Sequence, residues 1–306
     1  MKLRTFLNSI ILLIGVCFTS CNQNKIDDNG TDEFTSGTYN FVFDESIAPI
    51  LDQEIYVFKS LYTQAKPNVI YQSENKILDL VLNNKAKFAV MSRGLDQSEI
   101  KLLTNRGLPP KVGKIAFDAI TLIVGKNVTD TAMSLTQIKS LFDPNTKNTR
   151  NLVFDNPNSS VLNYLKSSFN LKNSSQKNIY AVKNSKEVIK YIAKHDEAIG
   201  FISYSWLIEP DSDYVSAVKN IKIVGVKNET LNNRTDSYFK PSQSTLALKQ
   251  YPLTRSIYVI DCTGRVGLGT GFAAFLQSER GQKIVLRSGL LPDSLPTREV
   301  SIKKEL

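Results

Sequence analysis

Three short stretches of this 306-residue chain place hydroxyl or guanidinium groups where an apolar run stops. "TYNFVFD" ends at Asp44-Glu45-Ser46, Phe88–Met91 ends at Ser92-Arg93-Gly94, and Asn151–Phe154 leads through a turn to Ser159-Ser160. Ligands of open α/β sheets sit in the crevice beyond the carboxyl ends of the strands, so such groups are placed to meet one. Ser46 and Ser160 stand at expected helix starts, where unpaired N–H groups and partial positive charge accommodate an anion without catalytic machinery. Each hydroxyl would donate beside a following backbone amide, Ile47 or Val161, and Ser92 and Arg93 would add a third loop with a forked, permanently charged donor. The same residues serve equally well as structure: serine is a common N-cap, and Arg93 can form a surface ion pair.

Magnitudes set a condition on an anion site. Micromolar affinity needs about −8 kcal/mol, while a helix terminus contributes roughly 0.3–2 and a charged hydrogen bond about 1.5–3. Several loops must therefore converge and exclude water, as closure of two domains around a ligand achieves.

Other chemistries find little support. His195 is the only histidine and lies in the polar "AKHDEA", so neither a catalytic triad nor a histidine metal cluster is expected. A serine hydrolase would need a G-x-S-x-G elbow, which is missing. "GLPPKVGK" has five residues between its glycines instead of four, with Ile115 where a phosphate loop has Ser or Thr. "GLGTG" at 267–271 has the wrong spacing for a dinucleotide fingerprint and reads as a turn and helix entry. Cys262 reads as a small core residue. No metal, cofactor or enzymatic activity is expected.

The elements that must position these residues alternate between short apolar strands and amphipathic helices, the pattern of α/β domains. Helices are expected over about residues 47–65 and 74–83, with strands at Asn68–Gln72 and Phe88–Met91. "KIAFDAITLIVG" opens a second unit as a strand, "LTQIKSLF" follows at helical spacing, and Asn184 and Glu187 have the spacing of a capping box before the strand "AIGFIS". "RSIYVI" returns as a strand, and one apolar helix is expected over Gly271–Gly281. Trp206, in "ISYSWL", is expected to pack between elements, where closure would make it a fluorescence reporter.

Residues 1–20 read as an export signal, with Lys2 and Arg4 before the hydrophobic run Ile10–Phe18. "GVCFTSC" resembles the lipobox of bacterial lipoproteins and makes Cys21 the lipidated first residue, although Phe18 stands where an aliphatic residue is favoured. Residues 21–36 are polar and read as a tether. The formal charge of +9 falls by two when Lys2 and Arg4 leave. The remaining basic residues are scattered, which suits attraction of anionic solutes and not nucleic acid, for which no basic stripe with stacking aromatics exists.

The order of these pieces resembles the phosphate-specific substrate-binding proteins of bacterial ABC importers, which have the type II periplasmic binding-protein fold. The anchors are the strand before Ser46, "FAVMSRGLDQSE", "KIAFDAITLIVGKN…LTQIKSLF", Ser159-Ser160, "AIGFISYSWL", "YPLTRSIYVI" and "FLQSERGQKIVLRSGLLP". The resemblance implies an α/β protein of two lobes joined by a hinge with the ligand between them. Lobe 1 would comprise residues 37–113 and 243–306, and lobe 2 residues 114–242. It also implies phosphate or a related oxyanion as ligand, an ABC permease as partner, and a monomer held by lipid in the cell envelope, periplasm-facing or on the outer surface. Ser46, Ile47, Ser92, Arg93, Ser159, Ser160 and Val161 would form the site. Two features depart from the family: "VFDNPNSSVLNY" lacks the arginine and the Ser-Gly-Thr usual there, and Arg93 stands where some members carry a proton-accepting aspartate. Asp44 and Asp155 are the nearest replacement acceptors, although capping and turn roles suit both residues better. The missing arginine keeps a second class open, a surface adhesion or signalling module on a degenerate binding-protein fold.

Overall fold

Apolar alternation and continuous apolar runs generate thirteen strands among the described residues of the computed structural model, which are 32–143, 150–171, 177–229 and 237–294. The leader, Cys21 and the tether as far as residue 31 lie outside the described residues. The strands are β1 (Gly37–Asp44), β2 (Ala65–Gln72), β3 (Phe88–Met91), β4 (Lys111–Gly125), β5 (Ala132–Ser134), β6 (Asn151–Phe154), β7 (Ile179–Ala181), β8 (Ala198–Ser203), β9 (Ile221–Ile223), β10 (Gly225–Lys227), β11 (Tyr238–Phe239), β12 (Thr254–Asp261) and β13 (Leu291–Pro292). The helices are α1 (Ala48–Leu61), α2 (Glu74–Leu82), α3 (Gln97–Asn105), α4 (Leu135–Ser140), α5 (Ser160–Ser168), α6 (Ser185–Ile192), α7 (Val215–Val218), α8 (Gln243–Ala247), α9 (Leu268–Gln277) and α10 (Glu279–Arg287).

The main sheet runs in the order β2-β1-β3-β12-β4-β8-β6-β7. Its two flanks are parallel: β1 pairs with β2 and β3, and β6 pairs with β7 and β8. Between them lie β12 and β4, antiparallel to each other and to the flanks. β4 belongs to both halves. Its residues Lys111–Ala119 pair with β12, and Ile120–Ile123 pair with β8.

Each half has its own core. Phe41, Phe43, Phe58 and Phe88 pack with Phe272 and Phe275 of α9 in the first, and the Phe41 and Phe272 rings stack 5.1 Å apart. Phe142, Phe154, Phe201 and Tyr251 anchor the second, with Phe154 and Phe201 stacked at 5.0 Å. β4 contributes Ile115 and Ala116 to one core and Ala119, Ile120, Leu122 and Val124 to the other. Leu246, Tyr251 and Leu253 also pack into the second core, so the returning chain changes sides at β12.

Two expected helices change shape. The segment after β1 begins with a tight 3-10 turn, Glu45–Ile47, because the Asp44 carboxylate accepts the Ser46 N–H at 3.0 Å, and α1 follows from Ala48. The single apolar helix expected around Gly271–Gly281 is two helices. Ser278 is extended and its hydroxyl caps α10 by accepting the Gly281 N–H, which ends α9 at Gln277.

Candidate functional site

Parallel pairing of β1 with β3 brings Asp44 and Ser92 side by side at the carboxyl ends of their strands. Ser92 donates its hydroxyl to Asp44 Oδ2 at 2.6 Å. From the other half, β6 delivers Asp155 and then α5, which Ser159 caps by accepting the Leu162 N–H at 3.4 Å. Ser159 is thus the cap, and Ser160, the first helical residue, faces the first half. Its Oγ lies 2.8 Å from Ser46 Oγ and 3.3 Å from Asp44 Oδ1. The first N–H groups of α5, those of Ser160 and Val161 among them, have no carbonyl within the helix to bond.

The three hydroxyls meet on Arg255, a residue the sequence reading did not single out. Its Nη1 donates to Ser92 Oγ at 3.0 Å and to Ser160 Oγ at 2.8 Å, and its Nη2 donates to Ser46 Oγ at 2.8 Å. Its Nε donates to Asp118 Oδ2 at 2.9 Å. Arg255 on β12 and Asp118 on β4 stand directly opposite in the antiparallel register, so their side chains leave the sheet on one face. Both are buried. Burial alone would pull the Arg255 pKa down, but the charges of Asp118 and Asp44 outweigh it and raise it, so the guanidinium is cationic. Asp118 is held in turn by Ser203, which donates to its Oδ1 at 2.7 Å.

Arg93 is placed differently. Its Nη1 and Nη2 donate to the two Glu99 carboxylate oxygens at 2.9 and 2.8 Å, and Nη1 also reaches the Gly94 carbonyl. Glu99 is already fixed by a capping box with Asp96 at the start of α3, so the pair staples the β3–α3 turn. Arg93 lies one step outside the serine cluster, linked to it through Glu74, whose Oε1 is 3.8 Å from Arg93 Nε and whose Oε2 is 3.3 Å from Ser92 Oγ. The side chain of Ile47 packs in the first core.

Both candidate acceptors are buried. Asp44 takes the three bonds described above. Asp155 Oδ1 accepts the Asn156 N–H, while Oδ2 has no partner among the described residues. Burial pushes Asp155 up to about 6. Burial, together with Asp155 and Asp44, raises neighbouring Glu45 to about 7.

Further contacts bridge the two halves, from the interior to the surface. Trp206 donates its indole N–H to the Ser46 carbonyl at 2.8 Å, Asn163 reaches Glu74 at 3.2 Å, and Gln53 reaches Glu209 at 2.9 Å. Trp206 therefore packs between elements as its sequence context suggests. Among the described residues, no group of three or more His, Cys, Asp or Glu is arranged to hold a metal, and no helix is long and apolar enough to cross a membrane.

A missed arginine had a signal in the sequence. Asp118 interrupts the apolar run of a long strand and Arg255 stands just before the apolar run of another, and a charge inside a buried strand must find its opposite or be unpaired at high cost.

A family profile described as a PBP superfamily domain matches residues 31–280. Among solved structures, a putative phosphate ABC transporter substrate-binding protein from Clostridium perfringens, with bound phosphate, is similar at 19% identity and a TM-score of 0.68. That match covers 84% of this chain and 100% of the other. An ABC-type phosphate transport receptor from Vibrio cholerae is similar at 16% identity and a TM-score of 0.61, again over 84% and 100% of the two chains. The OxyR2 regulatory domain of Vibrio vulnificus shares the architecture at 9% identity and a TM-score of 0.52, over 79% and 97%. No curated protein sequence matches. At these identities the likenesses establish the α/β binding-protein fold, and any functional reading rests on the site.

Proposed function

The chain belongs to the PBP superfamily, and from that premise we propose that it is a non-enzymatic solute-binding protein that captures phosphate for an ABC permease. The observation that carries the reading is the convergence of Ser46, Ser92 and Ser160 on one buried guanidinium, with hydroxyls contributed from both halves of the fold. Such a cluster offers short, directed donors in a dry setting, and it resembles no hydrolytic or metal centre. The phosphate-related names of the Clostridium and Vibrio cholerae proteins support the same ligand class. The two halves act as lobes that close on the ligand, with β4 and β12 as the hinge. Cys21 carries a lipid that holds the protein in the cell envelope.

In this reading Arg255 supplies the charge that the segment before Ser159 lacks in comparison with the resembled family. Ser46, Ser92 and Ser160 supply hydroxyl donors, and the α5 amides at Ser160 and Val161 supply N–H groups. Asp155 Oδ2, buried and without a partner among the described residues, accepts a proton carried by the ligand. A fully ionised sulfate offers no such proton and is rejected.

Titration calorimetry on ligand-stripped protein is expected to give saturable phosphate binding at micromolar concentration or tighter. Sulfate is expected to bind at least about 100-fold more weakly, a loss consistent with burying a carboxylate against an unprotonated anion. Rejection of sulfate is expected to set in above about pH 6, where Asp155 is ionised and able to accept, and phosphate affinity is expected to fall toward and above pH 7, where Glu45 acquires charge beside the site. Glu45→Gln should flatten the upper part of that fall. Absence of binding by any oxyanion at millimolar concentration would sink the proposal.

A further inference from the structure

The hydrogen bonds around Arg255 close into a ring that passes through both halves of the fold and through the pair of strands between them. Starting at the guanidinium, Nε donates to Asp118 Oδ2 at 2.9 Å, and Asp118 Oδ1 accepts from Ser203 Oγ at 2.7 Å. Ser203 ends β8 and caps the 3-10 turn Tyr204–Leu207, its Oγ accepting the Ser205 N–H at 3.3 Å. Trp206 lies in that turn and donates its indole N–H to the Ser46 carbonyl at 2.8 Å. Ser46 Oγ then accepts from Arg255 Nη2 at 2.8 Å. Every side chain in the ring is buried.

The placement of these residues gives the ring a consequence. Arg255 and Asp118 are cross-strand partners on β12 and β4, the two strands that lie between the parallel flanks. Ser203 and Trp206 come from the second half, where Trp206 packs with Val188, Ile192 and Tyr214, and Tyr214 donates its hydroxyl to the Trp206 carbonyl at 3.0 Å. Ser46 comes from the first half, at the entry to α1. The bond from Trp206 to Ser46 exists only when the halves are together, whereas the bonds from Arg255 to Asp118 to Ser203 fix the direction in which the guanidinium points.

We propose that Asp118, Ser203 and Trp206 are positioning residues that tie the orientation of Arg255 to closure of the two halves, so that the site is competent for an oxyanion only when closed. The proposal rests on the oxyanion reading for its ligand, but the ring itself does not. By linkage, whatever holds the ring shut raises affinity, and bound ligand holds the ring shut to the same extent. Cutting the ring at either of two separate places releases the same constraint, so two cuts do little more than one.

The test uses the mature, full-length protein with Ser203→Ala, Trp206→Phe and the double variant, with inorganic phosphate as probe. Each single variant is expected to weaken phosphate binding about five-fold, the worth of one buried hydrogen bond. The double variant is expected to stay within about two-fold of either single one, reflecting the coupling. Hydrogen exchange at the Arg255 Nε–H, followed by nitrogen-15 NMR without ligand, should accelerate in both single variants, including Trp206→Phe, which removes a bond to the Ser46 carbonyl and none to Arg255 or Asp118. Losses in affinity that multiply in the double variant, or unchanged affinity with a lowered melting temperature, would overturn the ring as a coupling device. If wild-type protein binds no phosphate, the functional reading fails. The exchange measurement then decides the ring: acceleration in Trp206→Phe upholds it, and none removes it.

Discussion

Arg93 and Arg255 both lie near the end of the sheet where the serines gather, and they differ in exposure and in what their forks meet. Arg93 is about one-third exposed, with a side-chain exposure of 35%, and gives its fork to a carboxylate, Glu99. The Arg255 side chain is 2% exposed and gives only Nε to a carboxylate, while its terminal nitrogens go to neutral hydroxyls. A guanidinium whose fork is taken up by a carboxylate has finished its electrostatic work inside the protein. One whose Nε alone meets a carboxylate leaves its terminal donors on hydroxyls, which can turn to donate to an incoming anion while the guanidinium keeps its place.

Substitutions at the two sites should separate these roles. Arg255→Met is expected to abolish phosphate binding by more than about 1,000-fold in calorimetry and to destabilise the fold by about 3–5 kcal/mol, since Asp118 and Asp44 are left buried without their cation. Arg255→Lys keeps the charge without the fork and should recover folding, read as the denaturant midpoint, better than it recovers affinity. If both variants bind normally, the contrast drawn above is wrong.

Glu54 sharpens the comparison from the other side. It is a fully buried carboxyl on α1 whose two oxygens have no partner among the described residues, and burial pushes it up to about 9. Its folded pKa is above its unfolded one, so the folded state holds the proton longer. Stability is therefore greatest below about pH 4.5 and falls as pH rises toward 9. Glu54→Leu should remove that slope and stabilise the protein at pH 7 by about 2–3 kcal/mol in urea unfolding.

The smallest effect belongs to Arg93→Ala. Phosphate affinity should stay within about three-fold of wild type, and stability should fall by about 1 kcal/mol or less, as for a partly exposed ion pair. A hundred-fold loss of affinity would return Arg93 to the site and displace the reading built on Arg255.

Much of this was legible in the sequence. The strands at Phe88–Met91, Asn151–Phe154 and Ala198–Ser203 coincide with the apolar runs that announce them, because buried strands have little choice of composition. The serines at strand ends were visible for the same reason, since a capped turn needs such residues. Arg255 was hidden because its meaning depends on register. Only the pairing of Arg255 with Asp118, 137 residues apart in the chain, turns a charge in an apolar strand into half of a buried pair. The same limit explains α9 and α10, where a single serine turned extended splits what periodicity joins. It also explains the change of core near β12, where Leu246, Tyr251 and Leu253 look like any other apolar residues until their neighbours are known.

The split first core has a bearing on how the polypeptide matures. β3 pairs with β12, and Phe41 stacks on Phe272, so the amino-terminal third cannot complete its packing until the last sixth of the chain emerges. Most of the second core comes from the contiguous stretch between Ala119 and Leu253, which can consolidate alone. Synthesis from the amino terminus thus lets the middle of the protein consolidate first, with the amino-terminal strands waiting, unpaired with β12 and prone to association, for the carboxyl-terminal segment to close over them.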